Sequence, residues 1–351
     1  MKSMVHKILH MILAAGMLLW LAVPAAATQP ELEIAWPGAN TVKKCDIVLG
    51  MDVSGLDFAD EKLYAVDNNI GQVWVLQRDG LGDLKFAPGF EEGKPVRFQN
   101  ADGEIPDTEG ITVAGDGLLY LASERDDVHD NANKSSILQV DIHTEESTLI
   151  VQQQWDLTPS LPKVESNKGI EAVEWVGFAA LEGKLWDQVT NAVFDSKLYP
   201  DAVAQGVFFT ALEDNGHVYG YILKEDGSSI QVAHIDSQLG MAMALDYDEY
   251  ENLLWVAADD GCKNRMVQIK LNRMKNPLVT HVMPSRGLNK SANNEGFAIV
   301  QAELTQDDYR SVYRVTDGIV YGALTEEKLD STYDMTFWEQ LEKKWIKETK
   351  R

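Results

Sequence analysis

One phrase recurs five times along this chain, and it limits the fold more than any other feature. It is a short apolar strand with a small residue near its start, then a turn, then a second apolar strand that ends in or just before an acid. The copies begin at Ser54-Gly55-Leu56, Glu109-Gly110-Ile111, Glu171-Ala172-Val173, Met243-Ala244-Leu245 and Glu295-Gly296-Phe297. Their second strands are Leu63–Asp67, Leu119–Glu124, Val207–Glu213, Leu253–Asp259 and Val312–Val315 ahead of Asp317. Further strand-like runs follow, such as Gln72–Leu76, Ser136–Asp141, His217–Ile222 and Met266–Ile269, with turn pairs Asp79-Gly80, Asp116-Gly117, Asn215-Gly216 and Asp226-Gly227 between segments. Units of four strands recurring roughly every 45 to 70 residues are the pattern of propeller blades.

A twisted four-stranded sheet cannot bury both faces alone, and radial stacking of such sheets solves that problem. The first strands then crowd around an axis, where Gly55, Gly110, Ala172, Ala244 and Gly296 supply the small residues that crowding requires. The expected fold is all-β: a five-bladed β-propeller of four-stranded antiparallel blades over residues 28–330, with six blades or an open β-sandwich as alternatives. The fifth unit lacks a strand, and Glu31–Trp36 is expected to supply it. Residues 176–205 read as an insertion in blade three with a short helix. Residues 331–351 read as a C-terminal helix, with Phe337, Trp338, Leu341, Trp345 and Ile346 along one face.

The repeat register also carries chemistry. Glu109, Glu171 and Glu295 each stand directly before the small residue, whereas Ser54 and Met243 fill that place in the other copies. Equivalent repeats would point the three carboxylates to one end of the axis, where they cannot all remain ionised without a counter-charge. Ca²⁺, which takes six to eight oxygen ligands, is the cation this arrangement suits. Asn294 is a further candidate metal ligand, with Asn293 and Asn167 nearby as additional amide oxygens. Asp67, Glu124, Glu213 and Asp259 would form a second tier, in which Glu124 is the candidate water-activating base. The loop Asp126–Asn131 is oxygen-rich as well. Against a ligating role, acids at strand ends commonly face solvent or pair with neighbours such as Arg125 and Lys168.

The start of the chain has Lys2 and Lys7, an apolar run Ile8–Val23, Pro24 and then Ala25-Ala26-Ala27. This is the pattern of a signal peptide over residues 1–27, the run being short for a span of roughly 20 residues. Export to a periplasmic or extracellular space and a soluble, monomeric mature protein are expected. Loss of that segment removes two lysines and no acid, moving the formal charge from −24 to −26. Such a surface repels nucleic acid and anionic membranes. Cys45 and Cys262 are far apart in sequence; they could pair in an oxidising compartment, and two separate thiols are the other reading. The chain has no G-x-S-x-G, no H-E-x-x-H, no paired-Cys zinc spacing and no phosphate-cradling Gly-rich loop with its Lys.

The run Asp107-Thr108-Glu109-Gly110-Ile111-Thr112-Val113, continuing through Leu119–Arg125, resembles the bacterial phytase-like (esterase-like) propeller domains. The order of all five first strands is similar to that of the SdiA-regulated periplasmic family, with Ser54-Gly55-Leu56, Glu109-Gly110-Ile111 and Asn294–Ala298 as the nearest matches. The resemblance covers most of residues 46–324. It implies a propeller of five or a similar number of blades, export, and bound Ca²⁺. The acidic D-x-D-D-P-A-x-W motif of true β-propeller phytases is missing. The corresponding stretch is Asp46–Asp52, so phytate hydrolysis is not implied.

Two functions fit these residues. One is a Ca²⁺-dependent hydrolase of esters, lactones or phosphoesters, with Glu109, Glu171 and Glu295 on the metal and Glu124 as base. The other is a non-catalytic envelope module that binds a protein, small molecule or glycan on one face. In the second case the axial carboxylates would be dispersed or salt-bridged.

Overall fold

A computed structural model of the chain describes residues 32–80, 82–99, 104–126, 132–301 and 308–330. The signal segment, the C-terminal helix and most of the 126–131 loop expected from sequence lie outside the described residues.

The fold is all-β, in several small antiparallel sheets. Two short strands come first, β1 (Leu32–Ile34) and β2 (Gly38–Lys44). The first group is β3 (Val53–Ala59), β4 (Lys62–Asp67), β5 (Gln72–Arg78), β6 (Leu84–Phe86) and β7 (Lys94–Arg97). The second is β8 (Thr108–Val113), β9 (Leu119–Asp126), β10 (Ala132–Val140) and β11 (Leu149–Asp156). The third has β12 (Ile170–Gly177), then helix α1 (Phe178–Leu181) and the hairpin β13 (Trp186–Asp187) with β14 (Ala192–Val193). It resumes with β15 (Gly206–Leu212), β16 (His217–Leu223) and β17 (Ser229–Asp236). The fourth is β18 (Ala244–Asp248), β19 (Leu253–Ala257), β20 (Met266–Lys270) and β21 (Leu278–Val282). The fifth is β22 (Asn294–Ile299), β23 (Tyr309–Thr316) and β24 (Leu324–Asp330).

Within each group the paired strands run antiparallel, β12 pairing with β15 across the insertion that holds β13 and β14. The β3–β4 turn places Asp60 and Glu61 at φ 49° and 62°, the left-handed pair of a tight hairpin. A parallel pairing of β7 with β11 joins the first two groups into one nine-stranded sheet. The ends of its main path, β3 and β8, pack against each other, so that sheet nearly closes on itself.

The leading strands β3, β8, β12, β18 and β22 pack side by side in order, and β22 returns to β3. The small residues are what allow this approach. A Cβ on Gly55 would stand 2.8 Å from Gly110 Cα, and one on Gly110 only 2.6 Å from Ala172 Cα. Apolar packing follows the same cycle. Val66 and Val73 meet Ile111 and Leu138 between the first and second groups. Tyr120 and Trp155 meet Phe208 and Tyr221 between the second and third. Phe209 and Val218 meet Leu254 and Val267 next, then Trp255 and Met266 meet Phe297 and Val312, and Ala298 and Tyr313 return to Leu56 and Leu63. Each sheet therefore buries both faces, which is why strands such as β15 are buried at every residue.

One sequence expectation is corrected. The strand that completes the fifth group is β2, which pairs antiparallel with β24, and not residues 31–36. Leu32–Ile34 instead lies parallel to β21 on the edge of the fourth group. The mostly exposed Gly38–Lys44 has little of the apolar alternation that marks a strand, because it is an outermost strand. Cys45 and Cys262 are both free. No helix among the described residues is long and apolar enough to cross a membrane.

Candidate metal centre

The first acidic cluster is built by pairing of β8 with β9. Thr108 pairs with Ser123, and the Glu124 N–H donates to the Asp107 carbonyl at 3.1 Å, which sets the Asp107 and Glu124 side chains beside one another. Glu109 follows one residue into β8. One ligand oxygen from each of Asp107, Glu109 and Glu124 lies within 4.8 Å of the other two, and all three residues are buried. With Ca²⁺–oxygen distances of about 2.3–2.6 Å, two oxygens on one ion stand no more than about 5 Å apart. The spacing fits a divalent cation.

Glu124 is only 1% exposed. Its Oε1 accepts the Gly169 N–H at 2.6 Å, and its Oε2 lies 3.4 Å from Arg125 Nε. Gly169 is needed there, since a Cβ would stand 2.5 Å from Glu124 Cγ. Arg125 Nε also reaches Asp107 Oδ2 at 2.5 Å. Glu109 has no such cation among the described residues; Asn68 Nδ2 donates to its Oε2 at 3.2 Å.

Burial and mutual repulsion raise the proton affinity of these groups. Burial first, then the charges of Asp107, Glu295 and Glu124, raises Glu109 well above the usual carboxylate range. Burial pushes Glu124 up to about 7, the Gly169 N–H opposing it. Glu171 is raised well above the ordinary range by burial and then by Glu109, Glu124, Glu213 and Glu295. Glu295 is pushed up to about 8, by burial and then by Asp317. Glu109 and Glu171 thus both feel Glu124 and Glu295 at this end of the leading strands, and a bound cation would relieve that repulsion.

The three glutamates chosen by register are not the acids brought within 4.8 Å of one another. Among the described residues the trio within 4.8 Å is Asp107, Glu109 and Glu124. Glu171 and Glu295 sit close enough to add charge without joining it. Glu295 Oε1 accepts from Asn293 Nδ2 at 2.9 Å, while its Oε2 is buried without a hydrogen-bond partner. Asn293 thus turns its amide nitrogen, and not its oxygen, toward Glu295 and Asp317. Asn294 is buried in a different network: its Nδ2 donates to Asn264 Oδ1 at 2.8 Å, and its Oδ1 accepts from Thr316 Oγ1 at 2.8 Å. In the second tier, Asp67 accepts the Ile70 N–H and Asp259 the Gly261 N–H, both as local turn caps.

A second set of acids sits three residues further along the leading strands, at Asp57, Glu174 and Asp246. Here each side chain accepts the backbone N–H of the next leading strand. Val113 N–H reaches Asp57 Oδ2 at 2.7 Å, Trp175 N–H reaches Thr112 Oγ1 at 3.1 Å, Tyr247 N–H reaches Glu174 Oε1 at 3.2 Å, and Ile299 N–H reaches Asp246 Oδ2 at 2.8 Å. In the fifth repeat Ala298 takes this position and offers no acceptor. The regularity ties four neighbouring pairs of leading strands together. Burial raises all three carboxyls, Asp57 to about 6. Sequence reasoning missed this set and Asp107. The second set was visible in the same repeat register, two residues after the small residue. The Asp107–Glu124 pairing was not, because it depends on strand register.

A family model described as "Phytase-like: Esterase-like activity of phytase" matches residues 51–318. No curated protein matches the chain. Among solved structures, it is similar to a glutaminyl cyclase of Myxococcus xanthus at 10% identity and TM-score 0.45, covering 86% of this chain and 98% of that one. It is also similar to the PQQ-bound aldose sugar dehydrogenase of Streptomyces coelicolor at 13% identity and TM-score 0.37, covering 83% and 98%. A third is the WD40 domain of Toxoplasma gondii coronin, at 11% identity and TM-score 0.37, covering 85% and 67%. With TM-scores below 0.5, none of these bears on the chemistry of this chain.

Proposed function

The chain belongs to this phytase-like family, and from that premise we propose that it is an exported five-bladed β-propeller whose acidic centre binds Ca²⁺ and hydrolyses an ester, lactone or phosphoester. The observation that carries the proposal is the buried trio Asp107, Glu109 and Glu124 within 4.8 Å. The five-bladed form is supported by the cyclic order of leading strands and of the apolar clusters between groups. Export is supported by the basic, apolar and small-residue order of residues 1–27.

Asp107, Glu109 and Glu124 would hold the cation. Once bound, it would polarise the substrate's ester oxygen and acidify water. Glu124 thereby moves from the base expected by sequence to a ligand whose direction is fixed by Gly169. Glu171 is the group suited to take the proton. It is buried, has no hydrogen-bond donor among the described residues, and has its proton affinity raised by burial and by the charges of Glu109 and Glu124. Asn68 orients Glu109 through its amide, and Arg125 limits the negative charge on Asp107 and Glu124.

A second reading has its own observation. Arg125 already pairs with two of the three ligands, as expected of a non-catalytic propeller whose acids are structural. Calorimetric titration with CaCl₂, together with turnover against esters, lactones and phosphoesters, separates the two. The hydrolase reading expects Ca²⁺ binding and Ca²⁺-dependent turnover, the first weakened by about 100-fold and the second lost in Glu109→Gln. Full turnover in that variant, or in chelator, would defeat it.

A further inference from the structure

The second acidic set opens onto a cavity of about 500 Å³. Its walls carry six carboxylates: Asp57, Glu174 and Asp246 buried on the floor, and Asp60, Glu61 and Glu249 exposed at the rim. No Lys, Arg or His is among the described residues that line it. Trp175, Phe58 and Tyr247 supply aromatic surface between the acids. Arg310 is the cation whose charge reaches Asp246, and it is ion-paired with Asp248 at 2.6 Å and does not line the cavity.

Two residues of the lining carry a buried oxygen without a hydrogen-bond donor. Asp246 is 3% exposed; its Oδ2 takes the Ile299 N–H, and its Oδ1 has no hydrogen-bond partner. Gln301 Oε1 is likewise buried and unpartnered. A buried acceptor left unpaired is costly, and both are acceptors, so the missing group is one that donates. No three of these carboxylates offer oxygens within 4.8 Å of one another, unlike the trio at the other end. A single bare ion would therefore reach only part of the set. An elongated molecule with several N–H donors reaches it all, and its cationic groups can lie against Trp175 or Tyr247. The volume falls in the range of pockets for small organic ligands.

We propose that this cavity is a binding site for an organic polycation of the linear polyamine class, with one ammonium on the Asp57–Glu174–Asp246 floor and another at the Asp60–Glu61–Glu249 rim. The site is independent of the proposed metal centre, which lies three residues away along the same strands, on the order of 10 Å.

Titration calorimetry with spermidine at fixed ionic strength tests it, with tetramethylammonium and CaCl₂ as separate arms. Saturable one-to-one binding of spermidine is expected. Asp246→Asn and Glu174→Gln should each weaken it at least tenfold. Both variants keep an oxygen for the N–H of the next strand, and cooperative thermal melting checks that they fold. The rim variant Asp60→Asn with Glu61→Gln, both side chains exposed, should weaken it several-fold. Glu109→Gln should leave it within twofold, which separates failure here from failure of the metal centre. Absence of saturable spermidine binding, equal affinity in floor and rim variants, or binding that vanishes with a modest rise in salt would overturn the proposal. So would tight CaCl₂ binding that is lost in Asp246→Asn and retained in Glu109→Gln.

Discussion

The two acidic regions lie at neighbouring levels of the same cycle of leading strands, yet they solve opposite problems. Before the small residue, carboxylates converge: Asp107, Glu109 and Glu124 come within 4.8 Å, with Glu171 and Glu295 adding charge. Two residues after it, carboxylates are held apart, each tied to the backbone N–H of the next strand. Convergence concentrates charge on a point. Regular spacing distributes it along a wall and binds neighbouring strands to each other. Side-chain position in a cyclic repeat decides which of these results, since one step along a leading strand changes what its neighbours present.

The comparison can be broken in several ways. The largest effect is expected for Glu109→Gln, which should lower Ca²⁺ affinity by about 100-fold, an order of magnitude suited to losing one charged ligand from a buried site. Glu174→Gln should leave that affinity within about twofold. Calorimetry with CaCl₂ on both variants measures it, and similar losses in both would erase the distinction between the regions. Next, Gly169→Ala should cost about tenfold in Ca²⁺ affinity, because the added methyl drives Glu124 from its place. A crystal structure of that variant with Glu124 unmoved would contradict the account.

The pH dependence of stability sharpens the contrast from the other region. An unfolded Asp titrates near about 3.9, whereas folded Asp57 is raised to about 6, chiefly by burial. Between those values the folded state holds more protons, so its stability falls as pH rises through that window and then levels off. Glu174 and Asp246 act in the same direction. Asp57→Asn should remove a decline of about 2–3 kcal/mol, at about 1.4 kcal/mol per pKa unit. Denaturant melts at pH 4 and pH 7 read it directly, and an unchanged decline would exclude Asp57 as its source. The smallest effect concerns strand-to-strand ties. Thr112→Val should cost about 1–2 kcal/mol by leaving the Trp175 N–H unpaired, with Ca²⁺ binding unaffected. A loss of Ca²⁺ binding in that variant would show that the two regions are not separable.

The sequence disclosed the parts of this fold that repeat. Small residues recur at the crowded leading strands because no bulky side chain fits between Gly55 and Gly110 or between Gly110 and Ala172. That regularity located Glu109, Glu171 and Glu295 at one end. It could not show that Asp107 joins Glu109, since that depends on the β8–β9 pairing and on Arg125 folding back over both Asp107 and Glu124. Asn294 illustrates the opposite failure. Its neighbour in sequence is an acid of the cluster, but its own side chain is drawn to Asn264 and Thr316. The closing strand was misplaced for a related reason: Leu32, Ile34 and Trp36 alternate as a strand should, and the polar β2 does not.

β2 has a kinetic consequence. It joins β24 across nearly the whole chain, and Trp36 Nε1 reaches the Lys328 carbonyl at 3.1 Å over a separation of 292 residues. Contacts so distant in sequence carry a large closure entropy and slow folding. During synthesis β2 emerges before β24 and must wait for it. Until then β2 has no partner strand in the last sheet. The same latch acts in reverse once made: opening the last group gains little freedom for the chain unless the rest of the cycle also comes apart. Protease sensitivity during refolding should therefore disappear in one late step, and a version of the chain lacking residues 32–44 should never reach it.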